Sequence, residues 1–411
     1  MIGRSRRIAL AVWLLAGLAI GPVTGLTGAA LAQDQAALPP ALAQLVGAAE
    51  AGDAQAQLQL ARLYDDGRDV PRSYADAARW YRAAAEQGSA AAQNRLGQYL
   101  YEGLGIARDT DAAIALLRQA ADSGESAQYA LDLAVALEKL EDWAGAASAY
   151  AQAAEAGSLD AAVSLGVLYQ GGQGVPQDFD RARMLYEPAA EAGHPRALNN
   201  LGLLYVRGDG VPQDYEKAAG LFQQSADGGL KQGMSNLGVM YENGFGVEQS
   251  DTLAMDWYRR AGQLEQIGVE GAPTLAYDPR LLPFDPGAPE FERHRSGAAR
   301  GDPVDQFILG FAILQSPDAP GTAVREGAAL MQAAAEAGHI PAMANLGVLY
   351  FEGRGVPQDF LLGYHWLTLA SAAGFTEAEL FLDRYAGRMT PQLITQAQAR
   401  AAQTWERLRL R

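Results

Sequence analysis

The chain has 411 residues, a formal net charge of −16 at pH 7 and no cysteine. This acidic balance argues against DNA, RNA and anionic lipid surfaces as partners, because phosphate binding needs a basic stripe and none is visible. The lack of cysteine excludes disulfides and a lipoprotein anchor. It does not favour the cytoplasm, since a continuous helical core does not need such cross-links.

Residues 1–32 have the pattern of an export signal. Three arginines between residues 4 and 7 precede an apolar run that is short for a membrane span, and Ala-Leu-Ala at 30–32 forms a small-x-small cleavage site. We therefore expect cleavage after Ala32, a periplasmic or secreted mature protein, and no membrane insertion after cleavage. The arginines fit the general secretory route, which we favour, and the twin-arginine route stays open.

From residue 51 onwards the chain repeats itself. Leu-Gly pairs recur along the sequence, and the glycines at 166, 202 and 238 are 36 residues apart. A fixed period of this size indicates a solenoid of stacked two-helix units. The preceding residues, 33–50, are predicted to form a linker and then a capping helix over the open end of the first unit.

Each unit carries the signals of two amphipathic helices joined by a glycine turn. In the clearest copy, Gly202 lets a neighbouring helix approach, Gly208 and Gly210 end the first helix, and Asp214 caps the second. The same capping position is predicted in the other units at Ser73, Asp109, Asp178, Ser250, Thr322 and Asp359. Because no unit buries both of its faces alone, stacking of the units is obligatory.

The domain organisation follows from where this phase is kept and where it is lost. Six units span 51–263, and the third is shortened because its glycine turn is deleted. Residues 264–299 form an irregular, proline-rich segment that is too apolar for a free linker. Two further units follow at 300–373, and capping helices at 374–411 are expected to seal the array.

Together the phased positions give the pattern A-x-x-x-L-G-x-x-Y-x-x-G-x-G-V-x-x-D-x-x-x-A-x-x-W-Y-x-x-A-A. This pattern resembles the Sel-one-like repeat, a longer-turned relative of the tetratricopeptide repeat. The resemblance covers most of 51–263 and 300–373 and implies a right-handed α-solenoid. Similar proteins are mostly adaptors: scaffolds of endoplasmic-reticulum degradation, chitin synthase activators, and bacterial envelope proteins that control exopolysaccharide signalling or export.

The sequence shows no catalytic, cofactor-binding or metal-binding signature. His194 and His339 occupy equivalent turn positions, and neither H-x-H nor H-E-x-x-H occurs. No lysine lies three residues after a serine, so the Ser-x-x-Lys motif of penicillin-type enzymes is absent. An envelope hydrolase acting on β-lactams or peptidoglycan, and a polysaccharide-binding module, are the alternatives to a non-catalytic protein.

The first helices supply a candidate partner-binding surface. By analogy with tetratricopeptide arrays they line the concave side, where an apolar stripe edged by amides suits an extended or helical peptide. The predicted groove residues are Asn94, Gln98, Val167, Asn199, Leu203, Val239 and Val348. The alternative, that these side chains only pack against the next unit, stays open.

We therefore expect an exported, non-catalytic scaffold that binds protein partners in the bacterial envelope, with no cofactor. Regulation of signalling or of exopolysaccharide assembly is the role that the resemblance implies. Because residues 264–291 interrupt the regular array, we also hypothesise that they are the specific docking element.

Overall fold

The computed structural model describes residues 39–267, 275–278, 281, 291–316 and 319–409. The predicted signal peptide lies outside these residues. Within them the chain forms twenty helices and no strand, so the predicted all-helical solenoid class is confirmed. None of these helices is long and apolar enough to cross a membrane.

The helices have the following bounds: α1 Pro40–Glu50, α2 Ala54–Asp66, α3 Tyr74–Glu86, α4 Ala90–Glu102, α5 Thr110–Asp122, α6 Ala127–Lys139, α7 Trp143–Glu155, α8 Leu159–Gly171, α9 Phe179–Glu191, α10 Pro195–Arg207, α11 Tyr215–Asp227, α12 Lys231–Asn243, α13 Asp251–Ile267, α14 Phe291–Ala299, α15 Pro303–Gln315, α16 Gly321–Glu336, α17 Ile340–Glu352, α18 Phe360–Ala372, α19 Glu377–Ala386 and α20 Pro391–Arg409. Consecutive helices from α2 to α13 and from α15 to α18 pack as hairpins, and each hairpin packs on the next. The core therefore lies between hairpins as well as within them.

The structure explains why the turn between the two helices of a unit contains two glycines. Gly208 takes the left-handed conformation (φ +75°) and donates its N–H to the Leu204 carbonyl, which ends α10. The second glycine lies against the preceding unit: a Cβ at Gly246 (φ +67°) would overlap the backbone of Tyr215 at the start of α11. The turn of one unit thus packs on the second helix of the unit before it.

The capping oxygens begin the second helices, with one exception. Asp214 accepts a bond from the Lys217 N–H, and Ser250 accepts one from Leu253. Equivalent bonds form at Ser73, Asp109, Asp178 and Asp359. The prediction for Thr322 is wrong, because α16 begins at Gly321 after Pro320 and Thr322 lies inside its first turn.

In the regular units around Gly166, Gly202 and Gly238, the glycine of the Leu-Gly pair makes room for a ring rather than for a helix backbone. A Cβ at Gly202 would lie 2.6 Å from the ring of Phe222, which comes from the second helix of the same unit. The expected approach of a backbone occurs at Gly347, where a Cβ would lie 2.9 Å from the carbonyl oxygen of Gly363. Large aromatic side chains are therefore buried without widening the hairpin.

The last helix contacts both ends of the array. It packs on α18 and also on α3, the second helix of the first unit. The side-chain oxygen of Gln398 accepts a hydrogen bond from the Tyr74 N–H at 3.0 Å, and Gln398 is buried. This is more than the seal that we expected from the sequence, since the first and last units touch.

Residues 275–278, which we call the strap, have no regular secondary structure, and Leu275, Ala276 and Tyr277 pack in or against the C-terminal core cluster. Leu275 is 6% exposed and Asp278 is 1% exposed. The rest of the proline-rich segment lies largely outside the described residues. The hypothesis that residues 264–291 dock a partner does not hold for the strap as it lies here, because Leu275 and Asp278 are buried against other parts of the same chain.

Candidate interaction surface

The first helices of successive units touch one another, α4 with α6 and α10 with α12. They form a continuous surface that we call the first-helix face. Val167 and Val239 are 38% and 42% exposed on it, and Leu203 and Gln98 are partly buried. These four predicted groove residues are thus at least partly exposed on the first-helix face.

The other three predicted groove residues are buried. Asn94 and Asn199 are each 6% exposed, and Val348 is 1% exposed. The prediction of Val348 as a groove residue is wrong, because its cluster also contains the strap, α19 and α20 residues that cover this end of the array. The equivalent valines of the other units have no such cover.

The amides on the first-helix face bond across units. Asn236 donates its amide N–H to the side-chain oxygen of Asn199 at 2.8 Å, and Asn199 donates to that of Asn200 at 3.3 Å. The buried Asn199 therefore fixes the orientation of two partly exposed neighbours. These neighbours, rather than Asn199 itself, can offer hydrogen bonds to a partner.

Gln98 belongs to a polar network near the first units. It donates to Asp132 at 2.8 Å and to Asn94 at 3.2 Å, and it accepts from Arg95 at 2.8 Å. Asp132 also accepts from Gln128. This part of the first-helix face is charged, whereas the part around Val239 is aliphatic.

The sequence analysis missed a buried carboxylate beside this network. Asp65 is 8% exposed and accepts bonds from the hydroxyls of Tyr99 and Tyr81 and from the guanidinium of Arg95, at 2.6–2.9 Å. Burial by itself raises the pKa of Asp65, but the bonds from Arg95 and the tyrosines outweigh it and lower that pKa. The sequence signal for this site was Arg95, which stands where three other units have asparagine: Asn200, Asn236 and Asn345.

Two histidines that we assigned to turns also cap helices. The Nδ1 atoms of His194 and His339 accept bonds from the third residues of α10 and α17. In each case Nε2 faces a carboxylate: Asp160 at 3.0 Å for His194, and Asp278 of the strap at 3.3 Å for His339. Each ring is thereby held from both sides.

The strap is bound through its backbone. Asn345 accepts a hydrogen bond from the Ala276 N–H at 2.8 Å and donates to the Ala276 carbonyl at 2.9 Å. Tyr277 packs against Phe307 and Phe311 with ring centroids 5.8 and 5.0 Å apart. The C-terminal part of the first-helix face thus holds a segment of its own chain through backbone bonds.

Comparison with known proteins agrees with this architecture. A sequence model of the Sel1 repeat matches residues 54–89, 90–125, 159–194, 195–230, 231–265 and 340–375, just over half of the chain. The chain belongs to the Sel1 repeat family. Between the matched repeats lie the shortened third unit and the region of the strap, where the turn motif is altered or lost.

A solved structure shows the same repeat fold. The crystal structure of c5321, a protective antigen present in uropathogenic Escherichia coli strains, displays an SLR fold; it is 24% identical, covers 89% of this chain and 96% of its own, and has a TM-score of 0.50. A Sel1 repeat protein from Oxalobacter formigenes is 26% identical over 84% of this chain and 90% of its own, with a TM-score of 0.44. A search of curated proteins gave no significant match.

The C-terminal end of the Sel1 array also contains a cavity of about 440 Å³. Its lining includes His365, Trp366, Arg400, Thr404 and Arg407. Burial, and then the charges of Arg400 and Arg407, lower the pKa of His365 to about 4, so this ring is neutral at pH 7. Among the described residues no group of three or more acidic, histidine or cysteine side chains could hold a metal ion.

Proposed function

We propose that this Sel1 repeat protein is an exported, non-catalytic scaffold of the bacterial envelope. It binds a protein partner on the first-helix face, around Val167, Leu203 and Val239. Sel1 repeats typically mediate protein–protein interactions, and the N-terminal sequence supports export. Regulation of envelope signalling or of exopolysaccharide assembly is the class of role that we assign to it.

One observation carries the proposed binding surface. Val167 and Val239 are exposed at equivalent positions of two units, and the buried Asn199 orients the partly exposed amides of Asn200 and Asn236 on α10 and α12. Aliphatic side chains next to oriented amides suit a peptide, because the amides satisfy its backbone while the valines bury its side chains.

The surface is tested by pull-down from an envelope extract of the source bacterium with the mature protein as bait. Val239→Asp should reduce partner recovery at least tenfold, because a carboxylate replaces an apolar contact. The matched control is Met184→Asp on α9, a second helix, where the side chain is 64% exposed. Equal recovery by the two variants would place the binding surface elsewhere.

The export and the lack of catalysis have their own tests. N-terminal sequencing of the protein from a periplasmic fraction should begin at Gln33. Purified protein should show no turnover of nitrocefin or peptidoglycan. Retention of residues 1–32 in the cytoplasm would contradict export, and turnover above background would favour the hydrolase instead.

A further inference from the structure

The strap is held as a peptide ligand would be held. The two polar atoms of the Asn345 amide bond the N–H and the carbonyl of one residue, Ala276, at 2.8 and 2.9 Å. These bonds recognise extended backbone and are independent of the side chain at that position. Asn345 is itself 1% exposed, so the complementary geometry is fixed in place.

The residues on either side of Ala276 fit separate subsites. Leu275 enters the apolar cluster of α15 to α20, and Tyr277 lies on the rings of Phe307 and Phe311. Asp278 faces the Nε2 atom of His339, whose ring stacks on Phe307 at 4.4 Å. These contacts match an apolar, an aromatic and an acidic side chain at the first, third and fourth positions of the strap.

Comparison with the unit that begins at α10 shows that α15 supplies no carboxylate to His339. His194 and Asn200 have the same spacing in α10 as His339 and Asn345 have in α17. There, Asp160 of the preceding first helix supplies the carboxylate that faces the histidine. The equivalent residue of α15 is Val304, so the carboxylate at His339 comes from the inserted strap instead.

We propose that α15 and α17 form a receptor for an extended partner peptide with an apolar, an aromatic and an acidic side chain at its first, third and fourth positions, and that the strap is its built-in competitor. The strap keeps the receptor closed until a partner segment of the same chemistry displaces it. This inference rests on the proposed function only in that the partner is a protein.

The test uses a labelled synthetic peptide with the sequence of residues 273–282, followed by fluorescence anisotropy. A tethered competitor acts at an effective concentration on the order of 1 mM, so the wild-type chain should bind the peptide weakly. The full chain with Tyr277→Ala and Asp278→Asn, which loosens the strap, should bind it at least tenfold more tightly. No gain in affinity by this variant, once circular dichroism shows it folded, would overturn the proposal.

Two further variants locate the binding site in the loosened chain. Adding Asn345→Ala should abolish peptide binding, whereas adding Asn200→Ala, the equivalent amide of α10, should leave it unchanged. A peptide in which the residue corresponding to Asp278 is asparagine should bind at least fivefold more weakly. Binding that survives Asn345→Ala would overturn the assignment of the site.

A measurement on the unmodified chain avoids any folding defect of the variants. Saturating unlabelled peptide should speed hydrogen exchange of the Ala276 amide, since its bond to Asn345 is lost on displacement. Unchanged exchange under saturation would contradict displacement. Failure of these peptide tests leaves the Val239 pull-down result intact, so the two proposals fail separately.

Discussion

At the scale of the residue, Asp65 shows how the array accommodates a buried charge. Three side chains bond its two oxygens, and one of them, Arg95, carries the compensating charge. A buried carboxylate with fewer partners would be protonated or would destabilise the fold. The network therefore joins the first two units through polar contacts in addition to apolar ones.

Removal of this charge should be costly. Asp65→Asn should lower the free energy of unfolding by about 2 kcal/mol, because Arg95 and the two tyrosine hydroxyls lose their charged acceptor in a buried site. Chemical denaturation measures the change. The control is Asp132→Asn on the same face, where the side-chain amides of Gln98 and Gln128 bond the carboxylate, and where we expect a loss below about 1 kcal/mol. Equal losses of unfolding free energy in the two variants would mean that the arginine and the burial at Asp65 add no stability beyond that of a more exposed carboxylate.

His365 should make stability depend on pH. Its pKa is lowered to about 4 in the folded chain from an ordinary 6.5, so the unfolded chain binds the proton more readily between these values. Stability should therefore fall as the pH drops from about 6.5 to about 4, by up to about 3 kcal/mol.

The His365 contribution is isolated by a difference measurement. Thermal unfolding of wild type and of His365→Gln is compared across this range, because carboxylates titrate alike in both. The difference in unfolding temperature between wild type and variant should change with pH, and lower pH should destabilise the wild type more than the variant. A gap that is independent of pH would show that the ring does not titrate as expected.

At the scale of the element, two turn glycines allow the cost of the left-handed conformation to be measured apart from the cost of a close contact between units. Gly246 and Gly229 both have positive φ. A Cβ at Gly246 would overlap the backbone of Tyr215, whereas a Cβ at Gly229 would have no other atom within 4 Å. Gly229→Ala should cost about 1 kcal/mol for the left-handed conformation alone. Gly246→Ala should cost clearly more in chemical denaturation, since the turn must move away from α11. Similar losses would mean that the contact between units is not tight.

The helices were largely predictable because their signals are local. Asp214 lies within a few residues of the N–H groups that it caps, and Gly208 ends the helix that it belongs to. Thr322 failed for an equally local reason, since Pro320 starts its helix earlier. The capping role of His194 was also within reach, because it precedes a proline at the first helical position.

The candidate site was less predictable because its contacts are distant in sequence. Asn345 and Ala276 are 69 residues apart, and no periodic pattern links an amide in a repeat with a residue in an irregular segment. Val348 has the same phase as the exposed Val239, yet it is buried by elements that occur only at this end. Phase determines where a residue sits in its unit, and the neighbours determine whether it is exposed.

At the scale of the whole array, the contact between α20 and α3 should couple the two ends. Gln398→Ala removes the acceptor for the Tyr74 N–H, so hydrogen exchange of this amide should accelerate at least tenfold, while α12 is unaffected. The control is Gln396→Ala, an exposed residue of the same helix. If both variants exchange alike at Tyr74, the two ends are not coupled through this bond.

The same contact fixes the number of repeats. An open solenoid tolerates the gain or loss of a unit, because each new unit needs only its immediate neighbour. Here, one additional 36-residue repeat would displace α20 from its position against the first unit and leave Tyr74 without its acceptor. Duplication or deletion of a repeat, the usual route by which such arrays change length, is therefore penalised in this chain.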